Sequence, residues 1–220
     1  MRKLLLGIDD FLRTRRAVYA ETFTRLAHGQ QPDTLVITCS DSRISPVEFA
    51  ASDPGDVFVV RNVGNLVPPF SDAHAPAVGA AIEYALAALP IEDILVCGHS
   101  ACGAMHAIHA GTVPPGAPHL ATWLAYGRSA LESLSPTPKG LTSEDHLSRE
   151  NVLRQVENLA SYPMVRSRVA GGTLRLHAWW FDVGTATFFD HDPDARRFVP
   201  VDRERIARLV AEKDRHRGTR

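Results

Sequence analysis

The chain has 220 residues, 45% of them hydrophobic and 22% charged, an ordinary globular composition with enough length for a full core. A formal net charge of −1 gives no electrostatic reason to expect nucleic acid or an anionic membrane as partner. No apolar run approaches the roughly 20 residues of a membrane-spanning helix, and Asp9 and Asp10 cut the Leu4-Leu5-Leu6 stretch too short for a secretory signal.

In chain order, Ile8 to His28 reads as an amphipathic helix. Ile8, Phe11, Leu12, Val18, Tyr19, Phe23 and Leu26 fall close to one stripe, with arginines mostly between them. A first strand is expected over Thr34 to Cys39, a short helix at Val47 to Ala51, a turn at Asp53-Pro54-Gly55-Asp56, and a second strand at Val57 to Val60. Ala77 to Leu89 is helical, and Pro90 stops it. Ile94 to Cys97 is the third strand and Cys102 to Ala110 a further helical stretch. Gly111 to Pro118 and Ser135 to Gly140 are loops rich in Pro and Gly. Asn151 to Leu159 is helical, with Ser148 as its candidate cap. Thr173 to Phe181 is a fourth strand, Thr185 to Phe189 an antiparallel edge strand, and Arg203 to Lys213 a charged terminal helix. The early strands are apolar throughout rather than alternating, as in a parallel sheet buried on both faces. The expected class is α/β: a mostly parallel central sheet flanked by helices, with an antiparallel edge strand, in a single domain over residues 1–220.

Two strings that end strand-like runs carry the chemistry. They are Cys39-Ser40-Asp41-Ser42-Arg43 and His99-Ser100-Ala101-Cys102. Cys39, His99 and Cys102 offer two thiolates and an imidazole, a donor set that suits Zn²⁺. Three protein ligands leave a tetrahedral ion one open position, the mark of a catalytic rather than a structural zinc. In a doubly wound sheet the C-terminal strand ends share one edge, and neighbouring strands lie about 4.8 Å apart, so the two strings can share an ion. The three cysteines, with no export signal, argue for free thiols in a reducing, cytoplasmic setting.

With these motifs the chain resembles the β-class carbonic anhydrases. The likeness runs from the first helix to about Phe189. It includes C-S-D-S-R at Cys39, D-P-G-D-V-F-V-V-R-N at Asp53, G-A-A-I-E-Y-A at Gly79, C-G-H-S-A-C-G-A at Cys97 and L-H-A-W-W-F-D at Leu176. The resemblance implies zinc-dependent, reversible hydration of carbon dioxide to bicarbonate and a proton, by attack of zinc-bound hydroxide on carbon dioxide. It implies one Zn²⁺ per subunit on Cys39, His99 and Cys102, with Asp41 and Arg43 as a catalytic pair. Gln30, Phe58, Val63, Tyr84 and Gly103 are the matching substrate residues, Phe58 and Tyr84 reaching or facing a partner subunit. A homodimer or higher homo-oligomer is implied, with the first helix (about 8–28) packing on the partner. Some members carry a non-catalytic bicarbonate pocket of Trp, Arg and Tyr. The matching positions here are Val36, Arg61 and Phe181, so an open metal centre near neutral pH and no bicarbonate inhibition are expected.

Simpler readings stand beside each of these. Asp41–Arg43 alone would be a loop ion pair worth about 0–1 kcal/mol. Phe58, Val63 and Tyr84 could be plain packing, Gln30 an ordinary loop residue, and Gly103 a helix-start glycine. Cys97 sits in an apolar strand and reads as an inert thiol. His106 and His109, three apart, read as surface or packing residues. A zinc hydrolase of carbonyl sulfide or carbon disulfide would use the same ligands, whereas a non-catalytic zinc-stabilised binding module would close the site with a fourth Cys or His, and the one extra cysteine, Cys97, lies in a strand. Thiol redox chemistry lacks its C-x-x-C motif.

Overall fold

Thr34-Leu35-Val36-Ile37-Thr38-Cys39 is apolar on both faces, and it forms an inner strand of the sheet, buried from its second residue to its last. The computed structural model describes residues 1–46, 53–71 and 76–218. Its sheet has the order β2-β1-β3-β4-β5-β6. The strands are β1 Thr34–Cys39, β2 Val57–Asn62, β3 Asp93–His99, β4 Arg175–Asp182, β5 Thr187–Asp192 and β6 Arg197–Pro200. β2, β1, β3 and β4 run parallel, with Cys39 opposite Asn62, Thr38 opposite Cys97, and His99 opposite Phe181. From β1 the chain goes to β2 on one side, then to β3 on the other. The strand order therefore reverses between β1 and β3, where an α/β sheet opens a crevice at its carboxyl edge.

The helices are α1 Arg2–Asp10, α2 Arg16–Leu26, α3 Pro76–Ala88, α4 Gly103–Ala110, α5 Pro118–Leu124, α6 Arg128–Glu132, α7 Ser143–Leu159, α8 Pro163–Ala170 and α9 Arg203–Gly218. One face of the sheet buries Leu35, Ile37, Ile94 and Val96 against Val78 and Ile82 of α3, Val152 and Leu159 of α7, and Val165 of α8. On the other face Cys97 and Phe181 pack with Ile44. Charged clasps fasten α9. Lys213 Nζ lies 2.7 Å from Asp33 and 3.0 Å from Asp93, and Arg205 lies 2.7 Å from Asp190. Among the described residues, no helix is long and apolar enough to cross a membrane.

Several expectations change at their edges. The first helical segment starts at Arg2, not Ile8, and carries a π-helical turn at Phe11–Arg15 before α2. There the Thr14 hydroxyl donates to Asp10 O at 2.8 Å, one of the side-chain bonds that compete with the regular ladder. Its apolar stripe is unburied, with Leu4, Leu5, Ile8, Leu12, Val18 and Phe23 all exposed. The helix expected at Val47 to Ala51 lies outside the described residues. α7 begins at Ser143 rather than Asn151. Thr142 is its cap, accepting from the Asp145 N–H at 3.0 Å, and Ser148 is instead buried inside the helix. The antiparallel extension has two strands: β5 pairs with β4, and β6 forms the outer edge. Helices α5, α6 and α8 occupy stretches that carried no helical expectation. Two of them open with a proline at the first position, where its missing N–H costs nothing.

Candidate metal centre

β1 and β3 are neighbours, and their carboxyl ends bring Cys39 and His99 together. Cys102 follows as the N-cap of α4. The ligand atoms of Cys39, His99 and Cys102 lie within 4.8 Å of one another, and all three residues are buried. Among the described residues this is the one such group of potential metal ligands.

The donor atoms fit a divalent ion. His99 Nδ1 lies 2.9 Å from Ser100 O, which fixes the ring with Nδ1–H donating to that carbonyl. Nε2 is then left as a bare acceptor, fully buried and, among the described residues, without a hydrogen-bond partner. A buried imidazole nitrogen without a partner is costly unless a cation takes its lone pair. The Gly64 N–H donates to Cys39 Sγ at 3.4 Å. Cys102 first, then His99 and this amide, draw the Cys39 thiol well below its ordinary range against the effect of burial. Cys102 is pushed up, because a second thiolate beside Cys39 is unfavourable and because it is buried. A divalent cation removes that conflict, since coordination deprotonates both thiols. Zinc, soft enough for two sulfurs and a nitrogen, suits the set.

Glycine is required at position 64. Its φ is +82°, and a Cβ there would stand 2.9 Å from Ala104 Cβ and 3.2 Å from Met105 Cε. At Gly98, a Cβ would meet Val152 Cγ2 at 2.6 Å, so α7 can press directly on β3. A polar stripe on α7 uses this close approach. Ser148 Oγ donates to His99 O at 2.8 Å, and Asn151 Nδ2 donates to Gly64 O at 3.1 Å. Gln155 Oε1 accepts from the Val67 N–H at 2.8 Å, and Asn158 Nδ2 donates to Val67 O at 2.9 Å. One helix face therefore holds the loops behind two of the three ligands. Sequence reading took Ser148 as a cap and passed over the other three. Their signal is the recurrence of uncharged polar side chains at 148, 151, 155 and 158, a spacing that puts all four on one helix face.

Asp41 stands at the rim of the triad, its Oδ2 4.0 Å from His99 Nε2. Arg43 engages both carboxylate oxygens, Nε to Oδ1 at 2.9 Å and Nη2 to Oδ2 at 2.7 Å. Those bonds hold the Asp41 carboxyl well below the usual range. The Arg43 backbone N–H adds a third bond to Oδ1 at 3.0 Å. Arg61 spans the same loop, donating to Cys39 O at 3.1 Å and Asp41 O at 2.8 Å. Val36 and Phe181, which the resemblance matched to the Trp and Tyr of a bicarbonate pocket, are both buried.

The other expected site residues divide into two groups. Val63 and Gly103 adjoin the centre through the chain itself. Val63 precedes Gly64, and its carbonyl accepts from Trp123 Nε1 at 2.7 Å. Gly103 opens α4 directly after Cys102, with open space where a Cβ would project. Phe58 and Tyr84 lie elsewhere. Phe58 is in register with Leu35, four residues before Cys39, a rise of about 13 Å along the strand. It stacks on Tyr84 at 5.8 Å between ring centroids. Gln30 is exposed in the loop after α2. Cys97 is separate from the triad, and burial pushes its thiol up to about 12. His106 and His109 lie on the surface, 3.6 and 3.9 Å from Glu144.

Comparison with known proteins agrees with this geometry. The family model described as carbonic anhydrase matches residues 34–188. A carbonic anhydrase of Synechococcus elongatus is 42% identical over 187 residues, covering 83% of this chain and 68% of its own. One from Pseudomonas aeruginosa is 39% identical over 199 residues, covering 88% of this chain and 90% of its own. Among solved structures, the β-carbonic anhydrase CcaA superposes with a TM-score of 0.84 at 36% identity, covering 92% of each chain. A tetrameric β-carbonic anhydrase of Sordaria macrospora superposes with a TM-score of 0.75 at 30% identity, covering 86% of this chain and 95% of its own. The chain belongs to the β-class carbonic anhydrase family.

Proposed function

We propose that this protein catalyses the reversible hydration of carbon dioxide to bicarbonate and a proton, with one zinc ion per subunit held by Cys39, His99 and Cys102. The observation that carries the reading is the partnerless Nε2 of His99, buried between two cysteines beside a carboxylate committed to an arginine. Bound zinc supplies the Lewis acidity that makes water a nucleophile at neutral pH. The chain's own residues do the rest. Ser100 O fixes the His99 tautomer, and the Gly64 N–H steadies the Cys39 sulfur. Asp41 presents an acceptor oxygen at the rim, where it orients the attacking water by taking one of its hydrogen bonds. Arg43 keeps that carboxylate ionised and, by holding both oxygens, keeps it off the ligand set.

Carbon dioxide is small and apolar, so a pocket of mostly apolar walls with a few donors suits it. Val63 supplies apolar wall from the same chain, and the Gly103 N–H at the start of α4 supplies a donor for developing negative charge on oxygen. Phe58, Tyr84 and Gln30 are exposed or lie at the far end of β2, which suits their serving a second subunit's centre. The assembly is a homodimer or a larger homo-oligomer. The exposed apolar stripe of α1 and α2 packs on a partner copy. Residues 1–220 act as one domain, and the free thiols suit the cytoplasm.

Stopped-flow carbon dioxide hydration, with zinc measured in the same sample, tests this. Cys39→Ser should lose both zinc and activity. Hydrolysis of carbonyl sulfide with no hydration of carbon dioxide would transfer the site to the sulfur analogue.

A further inference from the structure

The stretch between the ligands His99 and Cys102 contains a strained residue. Ala101 sits at φ +52°, a left-handed conformation that a side chain disfavours. Both of its backbone polar groups are gripped by charged side chains. Its N–H donates to Asp145 Oδ1 at 2.7 Å, and its carbonyl accepts from Arg43 Nη2 at 3.0 Å. Arg43 is the same guanidinium that holds Asp41.

Asp145 itself departs from a local rule. It occupies the third position of α7, three residues after the Thr142 cap. A carboxylate there ordinarily reaches back to the cap's own N–H, completing a capping box. Here the Thr142 hydroxyl still accepts from the Asp145 N–H, while the Asp145 carboxylate turns across to the metal loop.

We infer that Asp145 is a positioning residue for the metal centre: its bond to the Ala101 N–H holds the 99–102 turn in the conformation that sets the bite of His99 and Cys102 and presents the Ala101 carbonyl to Arg43. Without it, Ala101 relaxes towards negative φ, the two ligands lose their fixed separation, and Arg43 loses the carbonyl that aims it at Asp41. The inference rests on the zinc reading above. It deepens that reading by naming what keeps the loop shaped, since Asp145 touches neither the ligand atoms nor the substrate.

The test measures zinc release to a chelator from the zinc-loaded full chain, alongside amide exchange at Ala101 in the metal-free protein. Asp145→Ala should release zinc about tenfold faster, the loss of one charge-assisted hydrogen bond, and should deprotect the Ala101 amide. Glu144→Ala is the control. Glu144 lies in the same helical turn and shares any effect on the helix dipole, but its contacts are His106 and His109. It should release zinc at the wild-type rate. Ala101→Gly added to Asp145→Ala should bring release back to within about twofold of wild type, because glycine needs no help at positive φ. Wild-type release from Asp145→Ala, equal acceleration by Glu144→Ala, or no rescue by glycine would each overturn the inference. Should Asp145→Ala fail to fold, an unprotected Ala101 amide in the wild-type protein would overturn it, and protection reduced in Asp145→Asn, whose neutral amide oxygen is a weaker acceptor, would support it. If wild-type protein bound no zinc, the functional reading would fail first.

Discussion

Ser148 offers a stability test whose size follows from its two bonds. Its hydroxyl donates to His99 O at 2.8 Å and accepts from Trp180 Nε1 at 3.1 Å. Ser148, His99 and Trp180 are all buried, so water is a poor substitute. Ser148→Ala removes a single oxygen, too little to open a large cavity, but leaves a carbonyl and an indole N–H unsatisfied. Each such group costs about 1–3 kcal/mol, so the substitution should destabilise by about 2–6 kcal/mol. For a chain of this length that lowers Tm by roughly 4–24 °C. The assay is urea unfolding at fixed protein concentration, since association contributes to apparent stability. Ser133→Ala, whose exposed hydroxyl donates to Ser129 O at 3.0 Å, is the control and should fall within about 0.5 kcal/mol of wild type. A change for Ser148→Ala no larger than the control's would refute the claim that α7 holds the metal loop through this hydroxyl.

Asp41→Asn should retain full zinc while its turnover falls by about 10²–10³-fold; wild-type turnover with zinc bound would remove Asp41 from the mechanism. Asp93 governs acid stability at the opposite edge of the sheet. Burial alone would raise its carboxyl, but bonds from His177 at 2.7 Å, Arg175 at 2.8 Å and Lys213 outweigh that and hold it well below the usual range. A depressed folded value means the stabilisation is complete above the unfolded value of about 3.9 and fades as pH falls through and below it. Asp93→Asn should therefore cost about 3–5 kcal/mol near pH 7, and its deficit against wild type should shrink below about pH 4. A deficit that stays constant across that range in denaturant midpoints would contradict the linkage.

How much of this was legible in the sequence depends on the kind of signal. β1 and β3 stood out because strands buried on both faces are mostly apolar, and β2 stood out by the same apolar run although it is the outer strand and only partly buried. The triad stood out because cysteine and histidine at strand ends are rare and chemically loud. The start of α7 did not. Thr142, Glu144 and Asp145 serve as cap and first turn, and of the side chains buried there, His146, Leu147 and Ser148, only Leu147 is aliphatic. β6 and α8 were hidden for a related reason. They are short, and tertiary pairing, not local pattern, decides them. The supports of the metal loop, Asp145, Ser148 and Asn151, are common polar residues whose roles exist only once α7 lies across β3. Ala101 gave no warning of its positive φ, because the strain is imposed by its neighbours rather than encoded by a glycine.

Zinc-edge X-ray absorption on the active, wild-type protein measures the central claim most directly. The account predicts one zinc per chain with two sulfur neighbours near 2.3 Å and two light atoms near 2.0–2.1 Å, of which Asp41→Asn changes none of the sulfur or histidine signal. Active protein without stoichiometric zinc, or a first shell with other than two sulfurs, would contradict it.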